Sequence, residues 1–275
     1  MVKARDLCFA YPNGAPALDH LSLTIKRGER LAILGANGAG KSTLLMMLNG
    51  SLRPDAGAVE FEGKPVGYDR ASLLRLRSQV GLVLQDPDDQ LFAATVAEDI
   101  SFGPLNMGLS PEQARLRVEE ALQAMGIASL AQRPTHMLSF GQRKRVAIAG
   151  ILAMRPSVLL LDEPMAGLDP QGADDLMETL TALANDGSAV VVATHDMDAA
   201  YAWADRIAIF AHGEIVADAA PDAVFGDAML VARASLRRPA IYQIAEDLIT
   251  SGVLPPDIRY PRNRAELASL VQGGR

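Results

Sequence analysis

Cysteine is almost absent from this sequence, since Cys8 is the only one among 275 residues. A single thiol excludes an intramolecular disulfide framework and is typical of a protein in a reducing compartment. Basic charge is also in deficit, with 26 lysine and arginine residues against 33 aspartate and glutamate residues and a formal net charge of −7. Because nucleic-acid binding depends on a clustered positive field, we expect no nucleic-acid partner.

Long apolar runs are missing as well. The longest, VLLLDEP and AVVVATHD, have the length of strands and are far too short to span a bilayer. The N-terminal stretch MVKARDLCFAYPNG has no apolar segment of the kind that secretory signals carry. We therefore expect a cytoplasmic protein that reaches a membrane only through other chains.

Strand patterns of two kinds predict an α/β fold. The first part of the chain reads as short β-runs separated by turn residues at Pro12-Asn13-Gly14, Lys26-Arg27-Gly28 and Glu62-Gly63-Lys64. Further on, the fully apolar runs VLLLDE and AVVVATH alternate with helical segments, which is typical of a parallel sheet covered on both faces. The sequence RIAIFAHGEIVADA predicts an edge hairpin that turns at His212-Gly213.

Helix signals are clearest between Ser110 and Gly126. Ser110 is a good N-cap, Gln113 completes a capping box, and Gly126 suits the position just beyond the helix end. A second helix is predicted to begin at Ser139 and to stop before Pro156.

A phosphate-binding loop is predicted between an apolar strand and a helix, in LAILGANGAGKSTLL. Its glycines allow backbone N–H groups to surround phosphates, Lys41 reaches the terminal phosphates, and Ser42 is placed to bind Mg²⁺. A glycine-rich turn without function is the alternative that the spacing disfavours. The residues predicted to contact ATP here are Gly35, Ala36, Asn37, Gly38, Ala39, Gly40, Lys41, Ser42 and Thr43.

Acidic residues and a histidine end the two apolar strands. Asp162 and Glu163 follow VLLL, at the sheet edge where α/β proteins bind ligands. We predict that Asp162 orients Mg²⁺ and that Glu163 polarises the attacking water as general base, the alternative being acids that merely cap a helix. His195 ends the next strand and is predicted to contact the terminal phosphate. Neither the remaining histidines nor Cys8 are expected to form a metal site.

Ser139 supplies a second anion-binding feature, because a serine and free N–H groups at a helix start favour negative charge. It lies about a hundred residues after the phosphate loop and is predicted to belong to a separate helical lobe.

These motifs together resemble the nucleotide-binding subunit of ATP-binding cassette (ABC) transporters. The resemblance covers roughly residues 2–220 and rests on Tyr11, GANGAGKST, Gln85, LSFGQ, LLLDEP with AGLD, and His195, in that order. It implies a P-loop ABC-type nucleotide-binding domain over residues 1–235, with an antiparallel β subdomain and a helical subdomain at about 86–156. A helical C-terminal extension over 236–275 would follow.

In this family two domains pack head to tail, so the resemblance implies a homodimer with two shared sites. Ser139, Gly141, Gln142 and Asp169 would then act on ATP bound to the other copy, and Tyr11 would stack on the base. Two departures from the family pattern are visible, Phe140 inside the signature and Met165 after DEP. Neither is expected to remove activity.

The stretch QDPDDQLFAATVAEDISFG is explained by the same resemblance. It implies that Gln85 senses Mg²⁺ and water, and that the apolar pair Leu91 and Phe92 lies in a groove facing a membrane subunit. The alternative is that this pair packs inside the helical lobe.

A narrower resemblance is to the ATPases of energy-coupling-factor transporters, and within them LSFGQRKRVAIAG and RRPAIYQIAEDLI are similar to cobalt- and nickel-type members. This implies a transmembrane coupling subunit, a membrane substrate-binding subunit, and a location on the cytoplasmic face of the inner membrane. With no metal-ligand cluster expected here, ion specificity would belong to those other chains.

Other classes of ATPase share these motifs. Chromosome-maintenance ATPases carry a long coiled coil between the phosphate loop and the signature, and no sustained heptads lie between Ser42 and Ser139. Translation-factor ATPases carry two cassettes per chain, whereas this chain has one. The open alternatives are the ATPase of a vitamin-type or conventional ABC importer and an ABC ATPase not tied to transport.

Overall fold

The computed structural model describes residues 1–12 and 14–273. Asn13, in the first predicted turn, and the last two residues of the predicted tail lie outside the described residues. Ten strands occur in the part of the chain that is described, namely β1 Val2–Ala10, β2 Pro16–Ile25, β3 Arg30–Leu34, β4 Ala56–Phe61, β5 Lys64–Pro65, β6 Val80–Val83, β7 Val158–Asp162, β8 Ala189–Thr194, β9 Arg206–Ala211 and β10 Glu214–Ala219.

Eleven α-helices lie within the same described residues. They are α1 Lys41–Leu48, α2 Arg70–Gln79, α3 Val96–Asn106, α4 Pro111–Ala124, α5 Phe140–Leu152, α6 Pro170–Asn185, α7 Met197–Trp203, α8 Pro221–Gly226, α9 Ala228–Arg233, α10 Ala240–Thr250 and α11 Arg264–Gly273. None of the described helices is both long enough and apolar enough to cross a bilayer.

Two sheets organise the strands. One is antiparallel, in the order β2-β1-β4-β5, and the other has six strands in the order β10-β9-β3-β8-β7-β6. The pairs β3–β8, β3–β9, β7–β8 and β6–β7 are parallel, whereas β10 runs antiparallel to β9 at the edge. The α/β fold with an antiparallel subdomain is confirmed, and so is the edge hairpin.

The central strands are apolar on both faces because each face lies in a different core. Along β7, Leu159 and Leu161 belong to one buried cluster while Val158 and Leu160 belong to the other. Period-two alternation is what separates them. Each such side chain contributes about 1.5–3 kcal/mol on full burial, so the strand ends that carry Asp162 and Glu163 are held on a rigid element.

The helices α3, α4 and α5 form a group between β6 and β7, and each begins with a capping box, at Thr95, Ser110 and Ser139. The capping box predicted at Ser110 and the helix start predicted at Ser139 are confirmed. Helices α2 and α3 were not predicted from the sequence. Pro104 lies inside α3, and such a residue weakens the helical signal of the stretch around it.

The C-terminal helices pack on the same core as the rest of the chain. The ring of Tyr242 in α10 meets Tyr201 edge to face and stacks on Tyr260 at 4.2 Å. Pro239 immediately precedes α10, and Pro255 and Pro256 lie between α10 and α11. The residues from 236 onward therefore contact the rest of the chain directly.

Candidate active site

The loop between β3 and α1 is shaped by close backbone approaches. A Cβ on Gly35 would lie 2.4 Å from the carbonyl oxygen of Phe210, and one on Gly40 would lie 2.4 Å from that of Ala17. Gly40 also has a φ of +110°, which L side chains rarely adopt. Only glycine fits these two positions, and the loop then leads directly into the N-terminus of α1, where free N–H groups favour anions.

Lys41, the first residue of α1, is folded back over this loop. Its Nζ donates to the carbonyl oxygens of Gly35 at 2.7 Å and Ala36 at 3.1 Å. Burial lowers the pKa of Lys41 from its ordinary value, and the nearby carboxylates of Glu163 and Asp162 oppose that effect. An ammonium so placed is ready to exchange carbonyl acceptors for phosphate oxygens.

Glu163 stands just beyond the end of β7 with a positive φ of 44°. One carboxylate oxygen accepts from the Thr194 hydroxyl at 3.0 Å, and the other lies 2.7 Å from Nδ1 of His195. Thr194 ends β8, the neighbour of β7, and His195 follows it directly, so the parallel sheet itself brings these three side chains together. The prediction that Glu163 and His195 share one sheet edge is confirmed in position.

Asp162 is buried at the same edge. Burial raises its pKa above the ordinary value; a hydrogen bond from Ser42 works in the opposite direction, and the charge of Glu163 raises the pKa further. Two buried neighbouring carboxylates repel unless a cation compensates them. With the hydroxyl of Ser42 and the amide of Gln85 on the same cleft, the donor set consists of the hard oxygen ligands that Mg²⁺ prefers.

A cleft of about 580 Å³ collects these groups. Tyr11 lies at its rim, with its hydroxyl 3.2 Å from that of Thr43. Its other lining residues among those predicted to act on ATP or Mg²⁺ are Asn37, Gly38, Gly40, Lys41, Ser42, Thr43, Gln85, Asp162 and Glu163. Ala36 and Ala39 instead line a neighbouring cavity, which shares Asn37 and Gly38 with the cleft.

Ser139, Gly141, Gln142 and Asp169 are not in this cleft. They line a second cavity of about 610 Å³, which shares no lining residue with the first. Ser139 accepts from the Gln142 N–H at 3.3 Å, and Asp169 accepts from the Gly172 N–H at 2.6 Å, so both cap helices. Within one chain the two sets of predicted ATP contacts are therefore separate.

Phe140, the departure inside the signature, has a structural partner. Its ring lies against Gly167 of AGLD, where an added Cβ would come within 2.4 Å of the ring. The aromatic ring thus occupies space that Gly167 leaves open, and the two segments that line the second cavity are packed together.

Lys144 is a residue that sequence reasoning missed. It is fully buried in α5, and its Nζ donates to the carbonyl oxygens of Gln85 at 2.7 Å, Leu84 at 3.0 Å and Asp162 at 3.4 Å. Burial lowers the pKa of Lys144 to about 8. The helix that begins at Ser139 is thereby tied to the backbone that carries Gln85 and Asp162.

The structure shows where Gln85 lies relative to β6 and how Leu91 and Phe92 are placed. Strand β6 ends at Val83, so Gln85 follows the strand by two residues. The apolar pair divides: Leu91 is half-buried and packs against the main core, whereas Phe92 is 63% exposed and meets Phe102 edge to face. Leu91 therefore packs inside the chain, as the alternative interpretation predicts, whereas Phe92 leaves an aromatic surface exposed.

Cys8 and His20, which were not expected to form a metal site, lie together with Asp19 on the antiparallel sheet. Bulged strand pairing, which no sequence pattern revealed, brings them there.

Comparison with known proteins decides the family. A family model described as ABC transporter matches residues 18–166, more than half of the chain. The chain belongs to the ABC transporter family. It is therefore an ATP-binding subunit that couples ATP hydrolysis to transport.

Two relatives of this ABC ATPase match along nearly its whole length. The cobalt import ATP-binding protein CbiO of Rhodobacter capsulatus is 52% identical over 273 residues, which are 99% of this chain and 98% of that protein. The energy-coupling factor transporter ATP-binding protein EcfA2 of Methanospirillum hungatei is 46% identical over 272 residues, or 99% of this chain and 68% of that one.

Solved structures agree in fold. CbiO1 of Clostridium perfringens, described as part of the ABC transporter complex cbiONQ, has 43% identity and a TM-score of 0.73, and the match covers 89% of this chain and 98% of that one. The cassette MJ0796, described as dimeric in a post-hydrolysis state with ADP and Pi, has 31% identity and a TM-score of 0.75, over 80% of this chain and 99% of that one.

Proposed function

We propose that this ATPase powers the import of a transition-metal ion, with cobalt favoured, through an energy-coupling-factor ABC transporter. The relative that is 52% identical over 99% of the chain is named a cobalt import protein, and a structure that is 43% identical belongs to a cbiONQ complex. The proposal places the chain on the cytoplasmic face of the inner membrane. Its partners are a transmembrane coupling subunit and a membrane substrate-binding subunit.

For hydrolysis, the buried Glu163 carboxylate is the observation that carries the proposal. Held by Thr194 and His195 beside the phosphate loop, it acts as general base toward the attacking water. His195 and Lys41 contact the terminal phosphates, and Tyr11 stacks on the base. Ser42, Gln85 and Asp162 would hold Mg²⁺, which would supply positive charge to offset the negative charge of the phosphates.

We propose further that two copies form a homodimer with two composite sites. The first cavity contains the phosphate loop, and the second contains the N-terminus of a helix. These two features are complementary halves of such a site. Ser139, Gly141, Gln142 and Asp169 of one copy then complete the ATP site of the other. The dimeric relative with ADP and Pi supports this arrangement.

The domain limits belong to the same proposal, with residues 1–235 as the ATPase domain and 236–275 as the C-terminal extension. Within the helical subdomain at about 86–156, the exposed Phe92 forms the contact to the membrane subunit. The exposed edge-to-face pair of Phe92 and Phe102 supports a partner there, because an aromatic surface of this kind costs free energy in water.

Radioactive cobalt uptake tests the proposed substrate. Cells whose own copy of this gene carries Glu163→Gln should lose ATP-dependent cobalt accumulation, while cells carrying Glu178→Gln, an exposed change in α6, should keep it. Unchanged cobalt uptake in the Glu163→Gln cells would overturn the assignment to cobalt and leave the ATPase chemistry to be tested separately.

A different substrate is the second candidate. Several relatives at 44–47% identity are named energy-coupling factor or ABC transporter ATP-binding proteins without any metal in the name. The same cells compared for nickel and vitamin uptake distinguish the two possibilities, because only the imported solute should depend on Glu163.

A further inference from the structure

We infer that Cys8, Asp19 and His20 form a binding site for a transition-metal ion of the Zn²⁺ or Co²⁺ class, outside the nucleotide cleft. Each offers one ligand atom, and these atoms lie within 4.8 Å of one another. Among the residues that the structure describes, no other three histidine, cysteine or acidic side chains meet this condition. The site goes beyond the transport function, because nothing in that function requires a metal on the antiparallel sheet.

The pairing of β1 and β2 explains why the three side chains converge. Leu7 pairs with Leu21 and Phe9 with Leu18, so two residues of β2, Asp19 and His20, stand opposite the single Cys8. Two residues against one is a β-bulge. In a regular strand, adjacent side chains would point to opposite faces, whereas the bulge, with His20 at a φ of +48°, turns both toward Cys8.

A carboxylate outside the cluster orients the imidazole. The Asp6 oxygen lies 2.8 Å from Nδ1 of His20, and the backbone N–H of His20 points at the sulfur of Cys8 at 3.4 Å. A carboxylate on one ring nitrogen is the arrangement that orients metal-binding histidines and raises their basicity. The sulfur and the imidazole are thus held together before any ion binds.

The local charge favours a cation. The carboxylates of Asp6, Asp19 and Glu214 all act electrostatically on His20, and Asp6 also bonds to its ring. The side chains of His20 and Asp6 are largely exposed, so an ion can reach the cluster from solvent. This negative surface lies on the antiparallel sheet and shares none of the three ligands with the cleft that contains Lys41.

The ligand types select the ion. Thiolate and imidazole with one carboxylate suit Zn²⁺ or Co²⁺, whereas Mg²⁺ and Ca²⁺ prefer oxygen ligands. In a tetrahedral site the ligand atoms stand roughly 3.3–3.8 Å apart, given metal–ligand bonds of about 2.0–2.3 Å. The three ligand atoms lie at most 4.8 Å apart, so a closure of about 1 Å is needed, and small side-chain rotations can supply it.

Cobalt is the probe for the experiment, because thiolate bonded to Co²⁺ absorbs in the near ultraviolet. The full chain, kept reduced and free of nucleotide, is titrated with Co²⁺ while absorbance is recorded. We expect a charge-transfer band that saturates at one equivalent and disappears on adding Zn²⁺ but persists in excess Mg²⁺. Cys8→Ser should abolish the band, and His20→Gln should weaken Co²⁺ binding by about tenfold or more.

His136→Gln is the matched control, since His136 is an exposed histidine in another part of the chain, and its titration should equal that of the wild type. Circular dichroism checks that each variant is folded. A protein that shows no charge-transfer band, or whose band survives Cys8→Ser, would overturn the site. This experiment measures metal binding to the chain alone, so its result does not depend on whether the transporter carries cobalt.

Discussion

At the scale of single residues, Glu163 shows how the fold prepares a group for chemistry. Its positive φ is unfavourable for a residue with a Cβ, at a cost on the order of 1–3 kcal/mol. The surrounding sheet maintains that conformation, and donors from Thr194 and His195 hold the two carboxylate oxygens in one orientation. A general base needs this fixed orientation toward the attacking water.

Replacing Glu163 with glutamine should slow ATP hydrolysis by about 100-fold or more, because an amide does not accept the proton of the attacking water. ATP binding should persist, since the amide keeps the shape of the carboxylate. Phosphate release and ATP titration measure the two properties, with Glu178→Gln as control. Hydrolysis at the wild-type rate would remove Glu163 from the role of general base.

Lys41→Ala should weaken ATP binding by about 10- to 100-fold, because hydrogen bonds to charged groups contribute about 1.5–3 kcal/mol. Isothermal titration calorimetry with Mg-ATP is the measurement. Lys64→Ala removes an exposed lysine from β5 and should bind ATP as the wild type does. Equal affinity in the two variants would contradict the assignment of Lys41 to the phosphates.

At the scale of elements, α5 connects the signature to the nucleotide cleft. Its first residues follow Ser139, and its buried Lys144 donates to three carbonyl oxygens at the ends of β6 and β7. The distance between the two cavities is therefore bridged by one rigid helix. Movement of the Ser139 end would be transmitted to the backbone of Gln85.

Lys144→Met should lower kcat for ATP hydrolysis by about tenfold while changing ATP affinity little, because Lys144 positions Gln85 and does not line the cleft. The variant should also melt at a lower temperature, since each buried carbonyl left without a donor costs about 1–3 kcal/mol. Arg115→Met, an exposed change in α4, is the control. An unchanged kcat would restrict Lys144 to a structural role.

Helix α10 makes stability sensitive to alkaline pH. Burial and the neighbouring Tyr260 raise the pKa of Tyr242 to about 12, from an ordinary value of 10.0. A folded pKa above the unfolded one contributes stability that is complete below pH 10 and is lost as pH rises toward 12. Urea unfolding across this range should show a falling free energy of unfolding, and Tyr242→Phe should reduce the slope. A slope that Tyr242→Phe leaves unchanged would contradict the pKa.

At the scale of the whole molecule, the separation of the two cavities supports the proposed dimer. Lys41→Ala and Ser139→Arg should each abolish hydrolysis alone. Mixed in equal amounts and allowed to exchange subunits, they should recover activity, because a mixed dimer contains one site with an intact loop and an intact serine. Mixing two samples of the same variant is the control. No recovery, despite subunit exchange seen by labelling, would reject the shared site.

Local patterns in the sequence were sufficient for the phosphate loop, the capping box at Ser110, the helix start at Ser139, and the edge hairpin at His212-Gly213. Each depends on residues that are neighbours along the chain. The meeting of Glu163 and His195 was also predictable, because carboxyl ends of adjacent parallel strands lie at one sheet edge. The motifs and the parallel strands were therefore sufficient to predict most of the residues that line the cleft.

Only the tertiary structure decided the rest. Lys144 reaches carbonyl oxygens of Leu84 and Gln85 some 60 residues away in the chain, a contact that helix periodicity does not encode. Leu91 and Phe92 look alike in the sequence but take opposite environments, since the loop places one on the core and the other in solvent. Cys8 meets His20 because paired strands bulge, and a one-residue change of register reverses the face to which a side chain points.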